Sequence, residues 1–143
     1  GGTLVAAAIN KEPSLFNSAI LKVPFLSVTE TLNNKKLPLA IRDQAEWGDP
    51  ADKTVQDYLK LYDPMLALQE QNYPDLLVVS ASEDELIPIN HTNKWISKLK
   101  SLDKDANIIH KVMPNSDHTG PNDWTLKRRE LAFEQSYILN SVD

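Results

Sequence analysis

The sequence predicts an α/β chain: the C-terminal half of a mostly parallel sheet flanked by helices. Three observations carry this prediction. Leu76-Leu77-Val78-Val79-Ser80 is apolar almost throughout, as expected of a parallel strand covered on both faces. From there the pattern runs strand, helix, strand, helix, and connections of this length are the crossovers that parallel pairing needs. Only about three strands are visible in 143 residues, so the sheet reads as part of a larger one with an edge open for pairing.

Each element has a local reason. Residues 3–10 form an apolar, alanine-rich helix stopped between Asn10 and Pro13, because proline removes a donor and restricts the residue before it. Residues 18–23 fit a short buried strand ending at Pro24. Residues 29–36 read as a short helix or an irregular loop, and 43–50, with Trp47, Gly48 and Pro50, as a loop. Asp52 is placed to cap a helix running to Leu61, its carboxylate accepting from free N–H groups of the first turn. Tyr62-Asp63-Pro64 ends that helix, and a loop or short helix leads to Tyr73-Pro74. After the central strand, 88–102 reads as a helix with Trp95, Leu99 and Leu102 on one face. Residues 107–113 form another strand. Residues 125–139 form a last helix whose apolar set is Leu126, Leu131, Phe133, Tyr137 and Ile138.

Composition narrows the function classes. With 41% hydrophobic and 24% charged residues the chain is globular. A net charge of −5 without a basic block argues against nucleic acid as a partner. No apolar run approaches the ~18 residues of a membrane helix, so no membrane partner is expected. There is no cysteine, which excludes disulfides and thiolate metal sites. His91, His110 and His118 make no H-x-x-x-H or H-E-x-x-H pattern, and neither a metal nor an organic cofactor is implied. Lys127-Arg128-Arg129 reads as a solvated helix face, and Asn90-His91-Thr92 is a glycosylation sequon that matters only in a secreted protein. The compartment stays open, a cytoplasmic one being favoured.

The candidate chemistry lies in two loops. Asp84 follows the central strand, at the end where catalytic groups gather in open α/β sheets. His118 follows the next strand, in Asn115-Ser116-Asp117-His118-Thr119-Gly120. Taken alone, Asp84 reads as a turn or cap residue before Pro88, and His118 as an exposed loop histidine. Their order, their separation of 34 residues and the helix opened by Gly1-Gly2 point to an α/β-hydrolase. There the nucleophile sits in a G-x-S-x-G turn and the triad runs Ser, Asp, His along the chain. Gly1 is then the last glycine of that turn, and the serine is expected two residues before the chain begins.

Many further pieces match in order. Gly1-Gly2 through Ile9-Asn10 and on to Pro13, Leu15 and Phe16 is similar to S-A-G-G-x-L-x-x-x-x-I-N-x-x-P-x-L-F. Val23-Pro24-Phe25 is similar to V-P-F, and Glu46-Trp47-Gly48-Asp49-Pro50 to E-E-W-G-N-P. Tyr58 to Pro64 is similar to Y-x-K-S-Y-S-P, Tyr73-Pro74 to Val78 to Y-P-x-L-L-V, and Lys94 to Leu99 to K-W-V-A-K-L. On these motifs, which run through nearly all of it, the chain resembles the prolyl oligopeptidase family of serine peptidases, and within it the oligopeptidase B (protease II) branch.

The resemblance implies that 1–143 is the C-terminal part of a peptidase catalytic domain beginning just after the nucleophile turn. Asp84 matches the triad aspartate and His118 the triad histidine. The implied partners are a peptide substrate and the missing N-terminal part: the rest of the domain, including the oxyanion donors, and a β-propeller. The implied function is hydrolysis of peptide bonds after Arg or Lys. Of the two acidic residues that read a basic side chain in that branch, the first falls on Asp43 and the second on Ala45. Leu86 stands where an arginine is common, and Asp117 and Thr119 where glycines flank the histidine. The alternatives are a non-catalytic homologue serving as a binding module and an esterase on the same fold.

Overall fold

The computed structural model describes residues 1–34, 36 and 40–142. Helix α1 (Gly2–Lys11) leads through a 3-10 turn (Pro13–Leu15) into β1 (Ser18–Lys22). Three short helices follow: α2 (Val28–Asn33), α3 (Ala40–Trp47) and α4 (Lys53–Leu59). Then come β2 (Asp75–Ala81), α5 (Ile89–Leu102), β3 (Ile108–Met113), the small strands β4 (Ser116–Asp117) and β5 (Gly120–Pro121), and α6 (Trp124–Ser141).

The main sheet has the order β1-β2-β3 with both pairings parallel. The apolar run of β2 is central and buried on both faces, as its composition requires. Leu76 and Val78 pack with Ala6 and Ile9 of α1, Leu21 of β1, and Trp95 and Leu99 of α5. Leu77, Val79 and Ala81 point the other way, toward Met113, Ile20 and Tyr137 of α6. Each fully buried Leu or Val side chain in these layers contributes roughly 1.5–3 kcal/mol. Trp95 is wholly buried and its indole N–H donates to the carbonyl of Pro64 at 3.1 Å, so the largest core side chain carries no orphan donor.

A third cluster, of Val28, Leu32 and Leu59 with Phe25, Trp47 and Tyr62 against it, ties the short helices together. Asp63, 1% exposed, joins them through its carboxylate. It accepts from Thr29 N–H at 2.7 Å and Met65 N–H at 2.9 Å, so it caps α2 from a distant loop. Asp52 caps α4 as expected, accepting from Thr54 N–H at 2.7 Å.

The structure corrects the sequence reading in two places. Residues 43–47 belong to α3 rather than to a loop. Gly48 has φ 91° and its N–H donates to Gln44 O at 2.9 Å, which makes it the left-handed residue that stops the helix. The glycine that reads as loop punctuation is therefore a helix terminator. The helix or loop expected over 29–36 is α2, and Lys35 lies outside the described residues.

The second correction concerns α6, which packs Tyr137 against the sheet but leaves most of its apolar set exposed. Leu131, Phe133 and Ile138 are 55%, 37% and 48% exposed, whereas Glu130 is 8% exposed. The register explains this. Lys22, Val79 and Lys111 form one cross-strand row, and α6 sets Glu134 against Lys22 at 2.7 Å and Glu130 against Lys111 at 3.2 Å. Two carboxylates one helical turn apart meet two lysines on the same face of the sheet.

Candidate active site

The C-terminal ends of β1, β2 and β3 gather the site. Beyond β2, Ser82 N–H donates to Met113 O at 3.0 Å and Glu83 N–H donates to Ser116 O at 2.9 Å. The loop carrying Asp84 is thereby stitched to the segment carrying His118 before either side chain is considered. Between those carbonyls the chain reverses through Pro114-Asn115, with Asn115 at φ 47°, a conformation asparagine tolerates better than most residues. β4 and β5 then pair antiparallel, Ser116 opposite Pro121 and Asp117 opposite Gly120, and His118-Thr119 forms the tip.

The Asp84 carboxylate is almost fully engaged. Oδ1 accepts from Leu86 N–H at 2.9 Å and Ile87 N–H at 2.8 Å, which fixes the carboxylate plane. Oδ2 lies 2.9 Å from His118 Nδ1. The Asp84 side chain is 1% exposed and that of His118 36%. A carboxylate only accepts, so Nδ1 is the nitrogen that carries the proton in this bond, and Nε2 of the neutral ring is then basic. This is the orientation a general base needs: one nitrogen held, the other free to exchange a proton.

His118 borders a cavity of about 240 Å³ lined also by Lys22, Val23, Met113, Leu131 and Glu134. Val23 has φ 38°, an expensive conformation for a β-branched residue, and its N–H donates to Val79 O at 2.8 Å. Just beyond it, the start of α1 presses on the chain: a Cβ built on Gly2 would meet Pro24 Cβ at 2.6 Å and lie 3.5 Å from Lys22 O. Only glycine fits there. The N-terminus of α1 thus abuts the end of β1, beside the same Lys22 that lines the cavity at His118.

Asp43 is not part of this pair. It lies half-buried in the first turn of α3, a helix anchored by Trp47 in edge-on contact with Phe25 (ring centroids 5.9 Å apart). It does not line the cavity beside His118. Sequence reasoning also missed Asp117 as a hydrogen-bonding residue. Its Oδ1 accepts from both the N–H and the hydroxyl of Thr119, each at 2.7 Å, and those donors hold its carboxyl below the usual range. The legible signal was the Asp-x-x-Gly pattern of a tight turn. No cluster of three or more His, Asp or Glu residues is placed to hold a metal ion among the described residues, and none of their helices is long and apolar enough to cross a membrane.

Comparison with known proteins places this arrangement. The chain is 30% identical over 151 residues to "Prolyl endopeptidase-like" of Xenopus laevis, covering 96% of this chain and 21% of that protein. Among solved structures it is similar to oligopeptidase B from Leishmania major (TM-score 0.93, 29% identity, 98% of this chain and 20% of that one). It is also similar to oligopeptidase B from Trypanosoma brucei with covalently bound antipain (TM-score 0.91, 32% identity, 98% and 20%). The chain therefore spans about a fifth of the length of these relatives, and its fold is part of an α/β-hydrolase. The model of the prolyl oligopeptidase family matches residues 1–143, and the chain belongs to that family.

Proposed function

We propose that this chain supplies the aspartate and histidine of a serine peptidase whose nucleophile precedes Gly1. The observation that carries the reading is the His118 Nδ1 to Asp84 Oδ2 contact of 2.9 Å at the C-terminal end of a parallel sheet. It is supported by the packing of Gly2 against Pro24 and beside Lys22, a residue that also lines the cavity at His118.

In this mechanism His118 Nε2 takes the proton of the serine hydroxyl as its oxygen bonds to the peptide carbonyl carbon. His118 then gives that proton to the leaving amine as the C–N bond breaks, and the acyl-enzyme remains. Water, activated by the same nitrogen, releases the second product. Asp84 holds the ring and stabilises the imidazolium. No metal or organic cofactor enters these steps. The substrate is a peptide with Arg or Lys before the scissile bond, and Asp43 pairs with that side chain. The likeness to oligopeptidase B, in one case with antipain covalently bound, supports this specificity.

A second reading, a binding module without catalysis, draws on Ala45 and Leu86, where a second acidic residue and an arginine are expected. The test is the upstream coding sequence followed by expression of the longer protein. The expected result is a serine two residues before Gly1, labelled by a fluorophosphonate, with faster turnover of Arg than of Pro peptides. Another residue at that position, or an ester-only substrate range, overturns the proposal. The 143-residue chain contains no G-x-S-x-G turn and is expected to give no turnover alone. Labelling of Ser82 or Ser116 in it would show that the nucleophile is misplaced.

A further inference from the structure

We propose that Asp117 is a positioning residue for His118, clamping the hairpin tip from which the imidazole reaches Asp84. The proposal rests on the reading of His118 as the base, and it adds how that base is kept in place.

The hairpin that carries His118 is very short. β4 and β5 are two residues each, paired only as Ser116 with Pro121 and Asp117 with Gly120. Two-stranded hairpins are marginal in water even when longer. On the incoming side the hairpin is well anchored: Ser116 is 1% exposed, its carbonyl accepts from Glu83 N–H at 2.9 Å, and its hydroxyl donates to Pro114 O at 2.8 Å. Beyond Ser116 the tip turns out to solvent, where the strand pairing alone is a weak restraint.

Asp117 supplies the missing one. Its Oδ1 receives both Thr119 donors, the backbone N–H and the hydroxyl, at 2.7 Å each. These bonds arch over His118 and tie its two chain neighbours together. Asp117 and Gly120 hold the first and fourth turn positions, where aspartate and glycine are favoured, and Gly120 adopts φ 96°. Because Thr119's hydroxyl and N–H hold the Asp117 carboxyl below the usual range, the acceptor stays ionised at neutral pH. A base must be held to within about 0.5 Å of its productive position. A tip free to rotate would carry the imidazole away from Asp84 for part of the time, which slows the chemical step without weakening substrate binding.

The experiment uses the 15N-labelled chain and reads the His118 ring by NMR: the tautomer from long-range proton–nitrogen correlations, and the Nδ1–H resonance of the bond to Asp84. Amide signals of β2 and β3 report whether each variant folds. In the wild type and in Asp117→Asn, whose amide oxygen still accepts both Thr119 donors, one tautomer and a resolved Nδ1–H signal are expected. In Asp117→Ala the Nδ1–H signal is expected to broaden beyond detection with the strands unchanged. Thr119→Val, which removes only the hydroxyl donor, is expected to broaden it partially, and it serves if the alanine variant does not fold. An Asp117→Ala ring indistinguishable from wild type, or equal loss in Asp117→Asn, overturns the clamp. Asp84→Asn is the control for the underlying reading. If the Nδ1–H signal survives there, the His118–Asp84 pair fails independently of Asp117.

Discussion

The backbone N–H of Glu83 donates to the carbonyl of Ser116 at 2.9 Å, so the residue before Asp84 is bound to the strand that turns into His118. This bond helps set where the Asp84 and His118 side chains meet. Together with Ser82 N–H on Met113 O it extends the β2–β3 pairing past the ends of both strands. The carboxylate and the imidazole then meet at 2.9 Å. Four consequences can be measured.

The first concerns Asp84→Asn. The amide oxygen can still accept from Leu86 and Ile87 N–H, so the loop keeps its shape. The bond to His118 Nδ1 changes, because the amide N–H₂ favours the wrong ring tautomer. In a protein carrying this sequence behind a nucleophile turn, kcat should fall by roughly 10⁴-fold with the melting temperature little changed. Steady-state kinetics beside thermal unfolding tests this; a loss below tenfold removes Asp84 from the proposed role.

Specificity is tested at α3. Asp43→Ala should lower kcat/KM for Arg substrates by roughly a hundredfold or more, since the substrate cation loses its partner. Substrates with an apolar residue before the scissile bond should scarcely change. Glu46→Ala, on the same helix and exposed, is the parallel measurement. If it abolishes the Arg preference while Asp43→Ala leaves it intact, the contact belongs to Glu46.

Stability is tested at the row of lysines beneath α6. Glu130 is 8% exposed and pairs with Lys111 at 3.2 Å; Lys111 also lies 3.8 Å from the centre of the Phe133 ring. Glu130→Ala leaves a mostly buried ammonium without its anion. The expected cost is about 2 kcal/mol, below the ~3–5 of a fully buried pair because Lys111 keeps some solvent. Urea titration of Glu130→Ala should show this loss. Replacing Glu130 and Lys111 together by apolar residues of similar volume should recover most of it.

The last prediction is a pH dependence. His110 Nε2 lies 2.9 Å from Ser80 Oγ between β3 and β2, and burial pushes the imidazole pKa down from its usual 6.5. The unfolded chain therefore binds this proton more readily than the folded one. The contribution of His110 is fully present above pH 6.5 and is lost as pH falls from there through the lowered folded value. Urea midpoints measured from pH 7.5 to 5 should decline in the wild type and decline less in His110→Gln. Identical slopes in the two proteins would assign the acid sensitivity to other groups.

What the sequence determined by itself is local. The unbroken apolar run of β2, the face of α5 carrying Trp95 and Leu99, and the Asp52 cap each follow from a few neighbouring residues, and the structure has them where expected. The placement of Asp84 and His118 after successive strands was legible for the same reason: each follows a recognisable strand. What only the tertiary structure decided depends on register and on contacts between distant segments. α3 was hidden because Gly48 signals a stop without saying what it stops. The apolar set of α6 misled because the facing sheet row carries Lys22 and Lys111, so the helix turns its glutamates inward, and no periodicity within one helix can report the charge of the surface it will meet. The Glu83–Ser116 bond likewise exists only once β2 and β3 lie side by side, since its partners are set by the alignment of two strands about thirty residues apart.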